Sequence, residues 1–211
     1  MNVLITAGPT KEYIDPIRYI SNNSSGKQGY ALAEHMSEIG WNVTLVSGPV
    51  NLPIKNKYNI IHVETCSQML LACIDSLPVN IAIFTAAVTD WIPYYSKHKI
   101  KKCLINAIDV NYSPDIIKCI SINKKRPKLI IGFSIESENL VQSSKEKLIN
   151  KKCDWIISNN LYVNNEKIMG SDYNQISIIT KDNIDSFHLM TKKDTAKLIT
   201  KKIIDYLNIN I

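Results

Sequence analysis

From residue 2 to about residue 159, short β-branched apolar runs alternate with segments whose apolar residues recur at helical spacing. Runs at 2–7, 43–46, 60–63, 79–84, 129–133 and 155–158 read as strands. Between them the pattern predicts helices at 26–39, 67–76, 114–122 and 140–151. The first helix places Tyr30, Leu32, Ala33, Met36 and Ile39 on one face and stops at Gly40. Ser67 is the expected N-cap of the second helix. The third opens on Ser113-Pro114-Asp115, read as N-cap, first-position proline and first-turn acid. Apolar strands separated by helices are satisfied as a parallel sheet covered on both faces, with right-handed crossovers.

The tail departs from this rhythm. Residues 175–180 and 184–189 flank Lys181-Asp182-Asn183 as a hairpin, and 195–207 read as a closing helix. The expected fold is therefore α/β, a Rossmann-like three-layer sandwich with a mainly parallel central sheet and a late β-hairpin. Residues 1–211 are expected to form a single domain, since no linker, repeat or low-complexity tract interrupts them. The segment 85–103 has no clear periodicity and carries Lys97, His98, Lys99, Lys101 and Lys102 with Tyr94 and Tyr95. A long loop just past a strand's carboxyl end is where open α/β sheets place ligands.

Charge and composition exclude more than they assert. Arg18 and Arg126 are the only arginines among 25 basic residues, which disfavours a sequence-specific DNA reader. The Lys, Asn and Ile excess looks like coding bias, so a formal charge of +6 says little about partners. No nucleic-acid partner is expected. The N-terminus lacks a basic n-region, and no stretch approaches the apolar length of a membrane span. A cytoplasmic protein without membrane association is expected. Cys66, Cys73, Cys103, Cys119 and Cys153 are odd in number and form no C-x-x-C, which suits reduced thiols. His35, His62, His98 and His188 show no ligand spacing, so no protein metal site is expected.

The fold invites a dinucleotide, and the residues refuse it: no G-x-G occurs. After the first strand stands Gly8-Pro9-Thr10, and before the first helix Ser21-Asn22-Asn23-Ser24-Ser25-Gly26-Lys27. Hydroxyls, a glycine and a lysine at a helix N-terminus suit an oxyanion. The plainer alternative is N-capping by Ser24 or Ser25. A P-loop is excluded, because the upstream Gly is missing and Gln28 follows Lys27. At the end of the fourth strand, Thr85-Ala86-Ala87-Val88-Thr89-Asp90 combines small residues, which permit close ligand approach, with a carboxylate that is either a sugar or base acceptor or a satisfied loop acid. Lys99-Ile100-Lys101-Lys102 is either a solvated face or a loop that meets a polyphosphate. Phe133 at a strand end suits base stacking or the core, and Lys147 and Lys151 share one helix face.

These residues, with Ile14-Asp15-Pro16-Ile17-Arg18-Tyr19-Ile20-Ser21-Asn22, Pro114-Asp115-Ile116 and Gly132-Phe133, resemble the phosphopantothenoylcysteine synthetase (phosphopantothenate–cysteine ligase) family. The likeness is nearest to the synthetase half of the bifunctional bacterial coenzyme A biosynthesis flavoprotein and covers the whole chain. It leaves two alternatives, a separately encoded synthetase or one piece of a bifunctional protein. The resemblance implies a two-step ligation in which 4′-phosphopantothenate attacks the α-phosphate of CTP, and L-cysteine then displaces CMP from the acyl-cytidylate. It implies Asn22 as the residue that contacts the cytidylate and donates to its acyl oxygen, and Lys99 as the loop lysine needed for nucleotide attack. It assigns nucleotide contacts to Phe84, Thr85, Ala86, Asp90, Lys99, Pro114, Asp115, Ile116, Ile117, Phe133, Lys147 and Lys151. Substrate contacts fall on Asn22 and Ala87, with Arg18, Ser24, Ser25 and Lys27 toward the phosphate. Mg²⁺ is expected to arrive with CTP, no flavin is expected in this chain, and a homodimer with its site at or near the subunit interface is implied. A separate flavin-dependent decarboxylase is the remaining implied partner. Departures from the family pattern are Gln28 for a usual Met, Thr89 for a usual Ala, and Ser134-Ile135 for a smaller pair. Two rivals stand beside this reading: a nucleotide-dependent oxidoreductase on the same fold, and a nucleotide- or RNA-binding module supported only by lysine excess.

Overall fold

The computed structural model of the 211-residue chain describes residues 1–53, 57–101, 107–136, 140–160, 162–163, 166–168 and 170–209. The strand β1 (Asn2–Ala7) is followed by a small hairpin, β2 (Lys11–Tyr13) and β3 (Tyr19–Ser21), and then by α1 (Lys27–Glu38). Next come β4 (Asn42–Ser47), β5 (Asn59–His62), α2 (Cys66–Asp75) and β6 (Ile81–Phe84). A second hairpin joins β7 (Trp91–Pro93) to β8 (Val110–Tyr112), ahead of α3 (Ile116–Ser121), β9 (Leu129–Glu136), α4 (Leu140–Lys151) and β10 (Trp155–Asn160). The tail holds β11 (Tyr162–Val163), β12 (Glu166–Lys167), β13 (Tyr173–Asn174), β14 (Ile176–Ile179), β15 (Ile184–Ser186), β16 (Met190–Thr191) and α5 (Lys192–Leu207).

The central sheet runs β15-β14-β10-β9-β6-β1-β4-β5. Its pairings from β5 to β10 are parallel, and β14 and β15 close one edge antiparallel. Ile5 sits opposite Leu45 on one side and Ile83 on the other, which fixes the register at the centre. Alternation along each strand divides the core into two layers. Val3 and Ile5 point with Leu45, Ile83 and Ile131 toward Leu32 and Met36 of α1 and Ile199 and Ile203 of α5. Leu4, Ala82 and Ile130 point the other way, toward Met69 and Cys73 of α2, Ile120 of α3 and Leu148 of α4. The expected three-layer sandwich with a late hairpin is what forms.

Several boundaries differ from the expectation for local reasons. Thr65, not Ser67, caps α2: its Oγ1 accepts from the Gln68 amide, and the Gln68 side chain returns the bond in a capping box. The third helix begins at Ile116, and Asp115 is itself the N-cap, accepting from the Lys118 amide at 3.0 Å. Ser113 instead donates its hydroxyl to the Thr89 carbonyl. Neither small hairpin was foreseen. The short, mixed strands of β2–β3 carry too little periodicity, and β7 finds its partner β8 beyond the aperiodic stretch. Lys102 and Cys103 lie outside the described residues.

Candidate active site

A cavity of 960 Å³ opens at the carboxyl ends of β1, β6 and β9. Chain connections leave β1 toward β4 and β6 toward β9, so the cavity lies where the sheet's winding reverses. Its size suits a cofactor-sized ligand.

The floor is built by threonines that stitch the loop after β1 to the loop after β6. Thr85 Oγ1 donates to the Thr6 carbonyl at 2.7 Å, and the Ala87 amide donates to the Gly8 carbonyl at 2.9 Å. Thr10 and Thr89, both buried, add three bonds: the Thr89 amide donates to Thr10 Oγ1 at 2.9 Å, Thr89 Oγ1 to the Thr10 carbonyl at 3.1 Å, and Thr10 Oγ1 to Thr89 Oγ1 at 3.2 Å. The hydroxyl that departs from the family pattern is thus a strut. Thr6, Phe84, Thr85, Ala86, Ala87 and Asp90 line the cavity from this side.

The wall facing them is the start of α1. Gly26, at φ 71°, is the N-cap and has no side chain to cap with, so the capping reading of Ser24 or Ser25 does not hold. Ser24 Oγ accepts from the Gly26 amide, at a long 3.4 Å. A side chain on Gly29 would collide with Ala7 and Thr85, so this glycine sets how closely α1 approaches β1. Gly26 and Gly29 therefore do the work of the missing G-x-G motif: one turns the backbone, the other admits the helix. Asn22, Ser24, Ser25 and Lys27 all line this wall. The Asn22 amide, expected to donate to a reacting acyl oxygen, donates here to the carbonyls of Ala87 at 3.2 Å and Val88 at 2.9 Å.

On the third side stand Pro114, Asp115, Ile116 and Ile117 with Phe133, Lys147 and Lys151. Lys151 pairs with Asp115 Oδ2 at 2.7 Å while Asp115 Oδ1 caps α3, so one carboxylate fixes both the helix start and the lysine. Ser134 and Ile135 also line the cavity. The tail supplies residues the sequence reading missed: Gly170, Asn174 and Lys192. Lys27, Lys147, Lys151 and Lys192 line the cavity against Asp90 and Asp115, an excess of positive charge that favours a polyanion.

Arg18 and Lys99 are absent from the lining. Arg18 is engaged by Asp15, donating from Nε at 3.0 Å and from Nη2, which also donates to the Ile100 carbonyl at 2.9 Å. These bonds hold the Asp15 carboxyl well below the usual carboxylate range. Lys99 is exposed, beside an Ile100 whose amide donates to Asp15 at 3.2 Å. Burial pushes the thiols of Cys66, Cys73 and Cys153 up to about 11, 12 and 12, so none is poised as a nucleophile or ligand. Among the described residues no group of three or more His, Cys, Asp or Glu comes together.

A family model described as the DNA/pantothenate metabolism flavoprotein C-terminal domain matches residues 1–207. The chain belongs to that family. Among proteins similar to this member of the flavoprotein C-terminal domain family is the coenzyme A biosynthesis bifunctional protein CoaBC of Borreliella burgdorferi, 41% identical over 204 residues. That match covers 94% of this chain and 51% of the relative. The chain spans about half the length of the curated relatives it matches. The crystal structure of the C-terminal domain of a CoaBC bifunctional protein superposes with a TM-score of 0.83 at 35% identity, covering 98% of this chain and 95% of that one. A Cab2 variant in complex with phosphopantothenate-cysteine shares the fold at a TM-score of 0.75 and 17% identity, covering 99% and 89%.

Proposed function

We propose that this chain, acting as one domain over residues 1–211, ligates 4′-phosphopantothenate to L-cysteine at the expense of CTP, in coenzyme A biosynthesis. One observation carries the reading: polar and cationic groups from three distant stretches, around Lys27, Asp90 and Lys151, line one cavity at the sheet's reversal point. Membership of a family whose named relatives include CoaBC proteins supports it.

The residues suit activation of an inert acid. A carboxylate oxygen of phosphopantothenate attacks the α-phosphorus of CTP, the bond to pyrophosphate breaks, and an acyl-cytidylate remains. The cysteine amine then attacks the acyl carbon, loses a proton, and the acyl–oxygen bond breaks to release CMP. Such chemistry asks for positioning and charge neutralisation. Phe133 and the segment 114–117 flank the base, Asp90 accepts from base or sugar, and Lys147 and Lys151 meet the phosphates. Lys99, on its exposed loop, closes on the phosphates during attack. Asn22 exchanges one of its bonds to the Ala87 and Val88 carbonyls for the acyl oxygen as charge builds there. The Mg²⁺ that accompanies a nucleoside triphosphate is treated as part of that substrate, and the reading uses no flavin.

Arg18 keeps a phosphate role only across a homodimer, because it stands outside its own cavity. The hairpins beside it expose Ile17, Tyr19, Trp91, Tyr94 and Tyr95, the kind of apolar surface a second copy covers. A cytoplasmic location and a separate or fused flavin-dependent decarboxylase partner belong to the same reading. The test is pyrophosphate release from CTP that requires phosphopantothenate and precedes cysteine. Hydride transfer to a nicotinamide, or RNA binding without turnover, refutes the ligase.

A further inference from the structure

We propose that Lys192, together with Lys27, grips a phosphate group at the α1 end of the cavity, and that Asp172 holds the place of that phosphate in the unliganded chain. Lys192 is the first residue of α5, where a cation opposes the helix dipole. The residue is only 9% exposed and lines the cavity. Its ammonium donates to the carbonyls of Ser171 and Tyr173, and among the described residues no carboxylate pairs with it. Burial, and then the nearby Lys27, push its pKa down, against a smaller opposing pull from the Asp172 carboxylate. An ammonium kept from water beside a second cation is costly to fold and is rewarded when an anion arrives.

The chain holds it there deliberately. Gln28, in the first turn of α1, donates to the Lys192 carbonyl at 3.2 Å and accepts from Asn174 Nδ2 at 2.7 Å. This bracket joins opposite ends of the sequence and turns the Gln28 departure into a positioning element. Lys27 meanwhile pairs with Asp172 at 2.7 Å, but that carboxylate is 78% exposed. A pair so open to water contributes little and exchanges readily for a phosphate, which brings more charge and more acceptor oxygens.

Two substrates of the ligase carry such a group, the nucleotide triphosphate and the phosphopantothenate monoester, so the choice between them rests on that reading. The experiment uses Lys192→Gln, which keeps N–H donors for the two carbonyls and loses the charge, and Asp172→Asn. The KM for CTP, the KM for phosphopantothenate and calorimetric binding of inorganic pyrophosphate are measured for each. Lys192→Gln is expected to raise one KM about tenfold or more, and which one identifies the phosphate. Asp172→Asn is expected to lower the same KM about twofold to fivefold at low salt, a sign that a structural ion pair cannot produce. Pyrophosphate binding that is lost in Lys192→Gln without any turnover by the parent chain keeps the subsite and removes the ligase. Normal KM values in both variants, or a raised KM in Asp172→Asn, overturn the subsite; the second variant decides if the first does not fold.

Discussion

Gly29→Ala tests how the backbone sets the site. The added Cβ would stand 2.6 Å from Ala7 Cβ and 2.5 Å from Thr85 Oγ1. Carbon pairs prefer about 3.5–4.0 Å, so the first turn of α1 must retreat from β1 by about 1 Å. Neither neighbour gives way easily: Ala7 belongs to a central strand, and Thr85 is tied to the Thr6 carbonyl at 2.7 Å. Overpacking of this kind costs about 1–3 kcal/mol, while alanine in a helix recovers about 1 kcal/mol relative to glycine. A net loss of up to about 2 kcal/mol remains, and a domain of this size responds with a Tm lower by up to about 8 °C. The displaced turn carries Ser25, Gly26 and Lys27, so the KM for CTP rises in the same variant. Differential scanning calorimetry and steady-state kinetics read the two effects. A higher Tm with an unchanged KM would mean that propensity outweighs contact, and the close-approach argument fails.

Lys99→Gln is expected to abolish phosphopantothenate-dependent pyrophosphate release while leaving the melting curve unchanged, because the side chain is exposed; wild-type turnover removes Lys99 from the mechanism. Asn22→Asp sets a carboxylate against the Ala87 and Val88 carbonyls that now accept its amide. It is expected to form the cytidylate and stall before product, and mass spectrometry finding normal product with no trapped intermediate contradicts this. With their thiols pushed up to about 11 or 12, Cys66, Cys73 and Cys153 stay protonated at pH 8 and should resist a thiol reagent until denaturant is added; rapid native labelling of these residues, located by peptide mapping, refutes their burial. In the acid direction, Asp15 titrates below its unfolded value because Arg18 and the Ile17, Arg18 and Ile100 amides bind its charged form. Its contribution to stability is complete above the unfolded carboxylate range and is lost as pH falls toward the folded value. Asp15→Asn should therefore flatten the acid limb of the stability curve, and an unchanged limb shows that the pair is not coupled to folding.

The site was legible in part because its chemistry is carried by local strings. Ser24 through Lys27, Thr85 through Asp90 and Pro114 through Ile117 each end a strand or begin a helix, and strand ends in a parallel sheet fall together. Lys192 was not legible. Its residue type is common on solvated faces, and its burial shows only once the fold brings Gln28, Ser171 and Tyr173 against it. Arg18 shows the converse, since its motif is plain in sequence and its guanidinium turns to Asp15 instead of its own cavity.

By itself the sequence determined the order of the main parallel strands and the helices between them, the parallel sheet and the late hairpin, since hydrophobic period and helix punctuation are properties of neighbouring residues. Tertiary structure decided where β7 finds β8 and which lysines face the cavity. Those outcomes depend on partners up to 164 residues away, as between Gln28 and Lys192, and the free energy of burying a charge exists only once such partners surround it.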